Sequence, residues 1–199
     1  MTVLIQSNVC ITVPVLKCEH EKADDRIIFH LHHLVTKVHE VNTIVVATED
    51  TDVVVSLLYH YGESWANMGL KHLWLNKGSG TKRKIHPIHS LVYDIGHDIV
   101  KYMPAAHALT GADTTSNVGT KDSLIKTAKN FKLLDGFGLS ELSEEMFQKV
   151  EKCLVYCFAS TKTDCNSFNE LRVKLYNTYS KNFDFQKKCP ARLWHCENI

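Results

Sequence analysis

Residues 43–52 read Thr-Ile-Val-Val-Ala-Thr-Glu-Asp-Thr-Asp, an apolar run that ends in acids. The run from Thr43 to Ala47 is short, continuous and β-branched, the pattern of a strand buried on both faces of a parallel sheet. Asp52 to Tyr61 then reads as a helix, with Leu57 and Leu58 favouring it despite the valines. The acids therefore stand where a strand hands over to a helix, and in open α/β sheets ligands bind beyond the carboxyl ends of strands. Asp50 and Asp52, one residue apart on such a loop, can both reach a hard cation such as Mg²⁺ or Mn²⁺. Helix capping is the competing explanation, with Asp50 or Thr51 as N-cap and Asp52 in the first turn. A cap needs only one of Glu49, Asp50 and Asp52, and the three repel one another without a cation.

Upstream, residues 9–16 read as a strand and residues 19–38 as a helix. On that helix Glu21, Asp24, Ile28, Leu31, Val35 and Val38 follow steps of three and four and share one stripe. The stripe is otherwise apolar and faces the sheet, so Glu21 and Asp24 point toward the core edge, where a charge needs a partner. Glu19 and Asp25 fit the plainer reading of acids complementing a helix N-terminus, which also remains open for Glu21 and Asp24.

Downstream, His72 to Leu75 reads as a strand, and Gly78, Gly80 and Lys82-Arg83-Lys84 as a flexible loop. Residues 86–102 read as one helix, with Leu91, Ile95 and Ile99 in step and Pro104 ending it; a further turn covers residues 105–109. Gly111 breaks the chain, and Asp113 follows where a helix begins, as a cap or as a further ligand. Helical patterns then run over residues 122–131, 140–158 and 166–179. Alternating strands and helices predict an α/β fold with a parallel sheet, followed by an α-helical C-terminal extension. The expected domains are residues 1–135 and 136–199.

The 199-residue chain is 44% hydrophobic and carries a net charge of +1, so a nucleic-acid site must rest on local patches. Seven cysteines, odd in number and irregular in spacing, fit reduced structural thiols and an intracellular setting, nuclear or cytoplasmic. Cys153 and Cys157, four apart on an expected helix, suit burial. No apolar run has the length of a membrane span. His30, His32, His33, His86 and His89 read as solvated or partly packed side chains. Lys77 with Lys82 to Lys84 reads equally as a solvated face or as a nucleic-acid contact.

Taken in order, Glu21-Lys22-Ala23-Asp24, Thr48-Glu49-Asp50-Thr51-Asp52 and Gly111-Ala112-Asp113 resemble the acidic motifs of flap-endonuclease-type nucleases of the PIN-like superfamily. There an E-A-[DE]-type helix start is followed by a strand ending in T-E-D-x-D and later by G-x-D. The chain is also similar to transposon-associated animal proteins with the pattern H-E-x-A-D-x-R, D-T-D-V and H-A-x-T-G-x-D-T, matched by residues 20–26, 50–53 and 107–114. The resemblance covers residues 18–129. It implies a PIN-like (Rossmannoid) core and a phosphodiesterase using two Mg²⁺ or Mn²⁺ ions. Glu21, Asp24, Asp50, Asp52 and Asp113 would hold the ions; Asp24, Asp50 and Asp52 would serve the chemistry; Lys121, Lys126 and Lys129 would meet the phosphate backbone of DNA or RNA. Such nucleases also take an aspartate from an earlier strand, and no such acid precedes Cys18, so the resemblance implies a domain truncated at its N-terminus. Of the glycine-rich hairpin after G-x-D only Gly119 remains, and no aromatic follows Asp113. The alternative expectation is thus a catalytically dead module that binds nucleic acid or a protein partner.

Overall fold

The computed structural model describes residues 3–6, 9–12, 16, 23–38, 41–111, 124–128, 132–138, 141, 143–159 and 163–179. Glu21, Asp113, Lys121 and Lys129 lie outside the described residues. The chain divides into two compact units, Met1–Asn117 and Val118–Ile199.

The N-terminal unit is α/β. It starts with an antiparallel ribbon of β1 (Val3–Gln6) and β2 (Val9–Thr12). Only β2 lies within the strand expected from sequence. Helix α1 (Ala23–Lys37) follows and presents the expected stripe. Leu31 is buried, Asp24, Ile28 and Val35 are half-buried, and Asp25, Arg26 and Phe29 are exposed.

Strand β3 (Thr43–Ala47), helix α2 (Thr51–His60) and strand β4 (His72–Lys77) form a βαβ unit. β3 and β4 pair in parallel from Thr43↔His72 to Ala47↔Asn76. Parallel neighbours need a crossover, which α2 and one π turn (Tyr61–Trp65) supply. Gly62 in that turn sits so close to Val92 and Val100 that a Cβ there would lie 3.3 and 3.2 Å from their methyls. Val53, Leu57 and Leu58 of α2 pack with Ile44, Val46, Leu73 and Trp65 in one core. Burying a side chain of this kind stabilises the fold by about 1.5–3 kcal/mol. The Trp65 indole N–H, inside that core, donates to His32 Nδ1 at 3.3 Å.

Strand β5 (Lys84–Pro87) completes the sheet, antiparallel to β4, in the order β3-β4-β5. The sheet is therefore mixed; the expected parallel pairing holds between β3 and β4. β3 is covered on one face only: Ile44 and Val46 are buried, whereas Val45 is 61% exposed. Burial on both faces, expected from the unbroken apolar run, does not occur, because the core residues it meets all lie on the Ile44 and Val46 side.

The single helix expected over residues 86–102 is three pieces. Its first residues belong to β5. Helix α3 (Ile88–Ile95) starts after Pro87, and α4 (His97–Val100) follows Gly96, whose φ of 91° breaks the helical path. Pro104, expected to terminate a helix, lies in the first turn of α5 (Met103–Leu109), where its missing N–H leaves no hydrogen bond unmade.

In the C-terminal unit the described regular structure is helical: a turn at 124–128, α6 (Glu144–Ala159) and α7 (Phe168–Tyr179). Glu151 on α6 accepts the Phe168 N–H at 2.9 Å, and Val155, Cys165 and Leu171 are buried together. Among the described residues Cys153, Cys157 and Cys165 are free cysteines. A hydrogen bond with Cys157, and burial, raise the Cys153 pKa and hold that thiol protonated. Among the described residues no helix is long and apolar enough to cross a membrane.

Candidate metal centre

The acids after β3 and the acid at the start of α1 come together. Asp24, Asp50 and Asp52 each offer a carboxylate oxygen, and these oxygens lie within 4.8 Å of one another. Among the described residues this is the one group of three or more acidic, histidine or cysteine side chains close enough to hold a metal ion. Each carboxylate arrives for a local reason. Asp24 is carried by the first turn of α1, on the stripe that faces the core. Asp50 and Asp52 lie where the chain leaves the C-terminal end of β3 and enters α2.

The loop between them is stiff. Asp50 takes an extended backbone (φ −73°, ψ 129°) and caps α2: its Oδ1 accepts the Asp52 N–H at 2.8 Å. The Asp50 N–H in turn donates to Thr48 Oγ1 at 3.1 Å. Thr48 N–H donates to the Asn76 carbonyl at 3.3 Å, tying the loop to the end of β4. Capping and ligation are thus compatible at Asp50, since a carboxylate has two oxygens and about four lone-pair sites. Asp24 comes from a different segment and does not cap α2; it lies in the first turn of α1, where an acid also complements that helix's N-terminus.

Asp52 has a further partner. His107, on α5, is 9% exposed, and its Nε2 lies 2.6 Å from Asp52 Oδ1. An ionised carboxylate only accepts, so the short contact puts the proton on Nε2, which donates to Asp52. This contact fixes the rotamer of Asp52 between α2 and α5. Hydrogen-bonded partners of this kind orient metal-ligating side chains. His107 falls within the H-A-x-T-G-x-D-T match, but no local spacing in the sequence links residues 55 apart.

Glu49 is exposed and outside the trio. Lys126, the one described member of the expected lysine set, is exposed on the turn at 124–128 of the C-terminal unit. Gly111 has a φ of 110°, a backbone conformation that favours glycine, and Asp113 beyond it lies outside the described residues. Two histidines serve packing: His89 Nδ1 lies 3.0 Å from the Leu73 carbonyl and 3.2 Å from its nitrogen, and His60 stacks on Trp65.

Chemically, three carboxylates from two segments at one sheet end suit a hard divalent cation. Comparison with protein-family models, curated proteins and solved structures gives no match.

Proposed function

We propose that the N-terminal unit is a divalent-metal-dependent nuclease of the PIN-like, flap-endonuclease type that hydrolyses nucleic-acid phosphodiester bonds. The observation that carries this reading is the convergence of Asp24, Asp50 and Asp52 beyond the carboxyl end of β3. The βαβ unit of β3, α2 and β4 is the architecture in which such an end collects ligands. Asp24, Asp50 and Asp52 would hold Mg²⁺ or Mn²⁺. When bound, a pair of such ions supplies charge stabilisation at the phosphoryl group and a nucleophilic water at neutral pH. The side chains contribute orientation. The Asp52 N–H steadies Asp50, His107 steadies Asp52, and the hydrophobic stripe of α1 sets the depth of Asp24.

The test is cleavage of end-labelled single-stranded and branched DNA and RNA with Mn²⁺, by the wild type and by Asp50→Ala with Asp52→Ala. The expected result is cutting by the wild type and its loss in a double variant that still melts cooperatively. Equal cutting by both would refute the assignment.

A second reading, a catalytically dead module that binds a protein partner or nucleic acid, is favoured by the bare sheet face, where Val45 is 61% and Ile85 58% exposed. It predicts no Mn²⁺-dependent cutting by the wild type on any of these substrates.

A further inference from the structure

The parallel register of β3 and β4 brings a second charged element to the same end of the sheet as the carboxylates. Ala47 pairs with Asn76, so the chain leaves β4 beside the point where the acidic loop leaves β3. It does so as a basic turn: Lys77, Lys82, Arg83 and Lys84 lie between Asn76 and the body of β5. From Ser64 to Tyr93 the sequence has no Asp or Glu at all. Lys82, Arg83 and Lys84 are exposed and Lys77 half-exposed, and none of the four forms an ion pair with a described carboxylate. Acids and cations are thus segregated onto adjacent strand ends.

The turn is closed by its own backbone hydrogen bonds. Residues Gly80–Lys82 form a 3-10 turn, closed by Lys82 N–H to Ser79 O at 3.1 Å and Arg83 N–H to Gly80 O at 3.3 Å. Gly78 has a φ of 84°, and a Cβ there would stand 2.6 Å from the Lys82 carbonyl oxygen, so the close return of the chain requires glycine. Arg83 Nε–H donates to Asn76 Oδ1 at 2.7 Å, and the Asn76 carbonyl accepts from Thr48. One residue therefore connects the guanidinium to the loop that carries Asp50. Strands β3 and β5 are two inter-strand spacings apart, about 10 Å. That is the axial rise of about three nucleotides of one strand.

We propose that the β4–β5 turn is a phosphate-backbone site for a nucleic-acid strand, gripping phosphates within about three nucleotides of the one held over the carboxylates. This rests on the nuclease reading for its second half only: a basic turn can bind a strand whether or not the acids cut it. The contacts are to phosphates and carry no base preference.

The experiment measures anisotropy of a fluorescein-labelled single-stranded oligothymidylate across a KCl series in EDTA, so binding is read without cleavage. The wild type is compared with Lys77→Ala, Lys82→Ala and Lys84→Ala combined, which keeps the Arg83–Asn76 contact. A variant replacing both Asp50 and Asp52 by Asn is measured in parallel. The expected result is a salt slope shallower by about 2 in the triple-lysine variant, and affinity near 0.1 M salt weaker by about a hundredfold, for three lost phosphate contacts. The aspartate variant should bind at least as tightly as the wild type. No wild-type binding, or an unchanged slope in the triple-lysine variant, overturns the proposal. Turn-dependent binding without Mn²⁺-dependent cutting would leave the proposal standing and remove the nuclease reading.

Discussion

Asp50→Asn should make the metal-free protein more stable while removing its response to metal. Three carboxylate oxygens within 4.8 Å repel one another when no cation lies between them. At that separation each pair costs about 0.9 kcal/mol in the dielectric of water. Asp50 is exposed, so the water limit applies rather than the larger interior one. Neutralising it removes two of the three pairs, and screening at 0.15 M salt roughly halves the gain, leaving about 1 kcal/mol. The helix cap is not sacrificed, because Asn caps as well as Asp and its amide oxygen can accept the Asp52 N–H in the same way. A gain of this size raises Tm by about 4 °C or more for a unit of this length. The wild type should respond in the opposite sense: Mn²⁺ at a hundred times its Kd stabilises by about 2.7 kcal/mol. Thermal melts of both proteins in EDTA and in Mn²⁺ give all four values. If the substitution lowers the metal-free Tm, or if the variant keeps the wild-type Mn²⁺ shift, the carboxylates are not held together as a charged site.

Two other outcomes follow from the same geometry. Replacing His107 by Ala should weaken Mn²⁺ binding about 10- to 100-fold, as loss of an orienting partner does, with partial recovery by His107→Gln, which keeps an N–H for Asp52; a histidine that only held α5 to α2 would lower Tm and leave the Mn²⁺ Kd in place. His60 contributes a pH dependence to folding: burial first and the neighbouring His32 second lower its pKa from the ordinary 6.5, so below that pH the unfolded chain binds the proton more readily than the folded one. Stability is full above about pH 6.5 and declines on acidification toward the lower folded value, and urea midpoints at pH 7.5 and 5.5 should differ less in His60→Gln than in the wild type.

Much of this site is readable from the chain because it is local. An apolar run followed by acids marks the end of a strand, and the three-and-four spacing from Asp24 to Val35 puts that aspartate on the buried side of α1. Two strong periodicities therefore point at one place before any contact is known. The Asp52–His107 contact has no such signal, since it depends on how α5 returns to α2. Strand β5 is hidden because lysines, glycines and a proline surround Ile85, and its pairing with β4 is made by backbone atoms. The exposed face of β3 is misread for a related reason: an unbroken apolar sequence states what a strand tolerates on each face, while coverage depends on which elements pack there. Glu21, read from the stripe of α1, and Asp113, read from its place after Gly111, both fall outside the described residues.

Asp24, Asp50 and Asp52, brought within 4.8 Å, should act together on a divalent cation. Titrating the protein into Mn²⁺ and following the six-line paramagnetic resonance of the free ion tests it without requiring a substrate. The wild type should remove one or two equivalents of Mn²⁺ from that signal, and a folded variant with all three aspartates changed to asparagine should remove none. A wild-type protein that leaves the signal at the variant's level would contradict it.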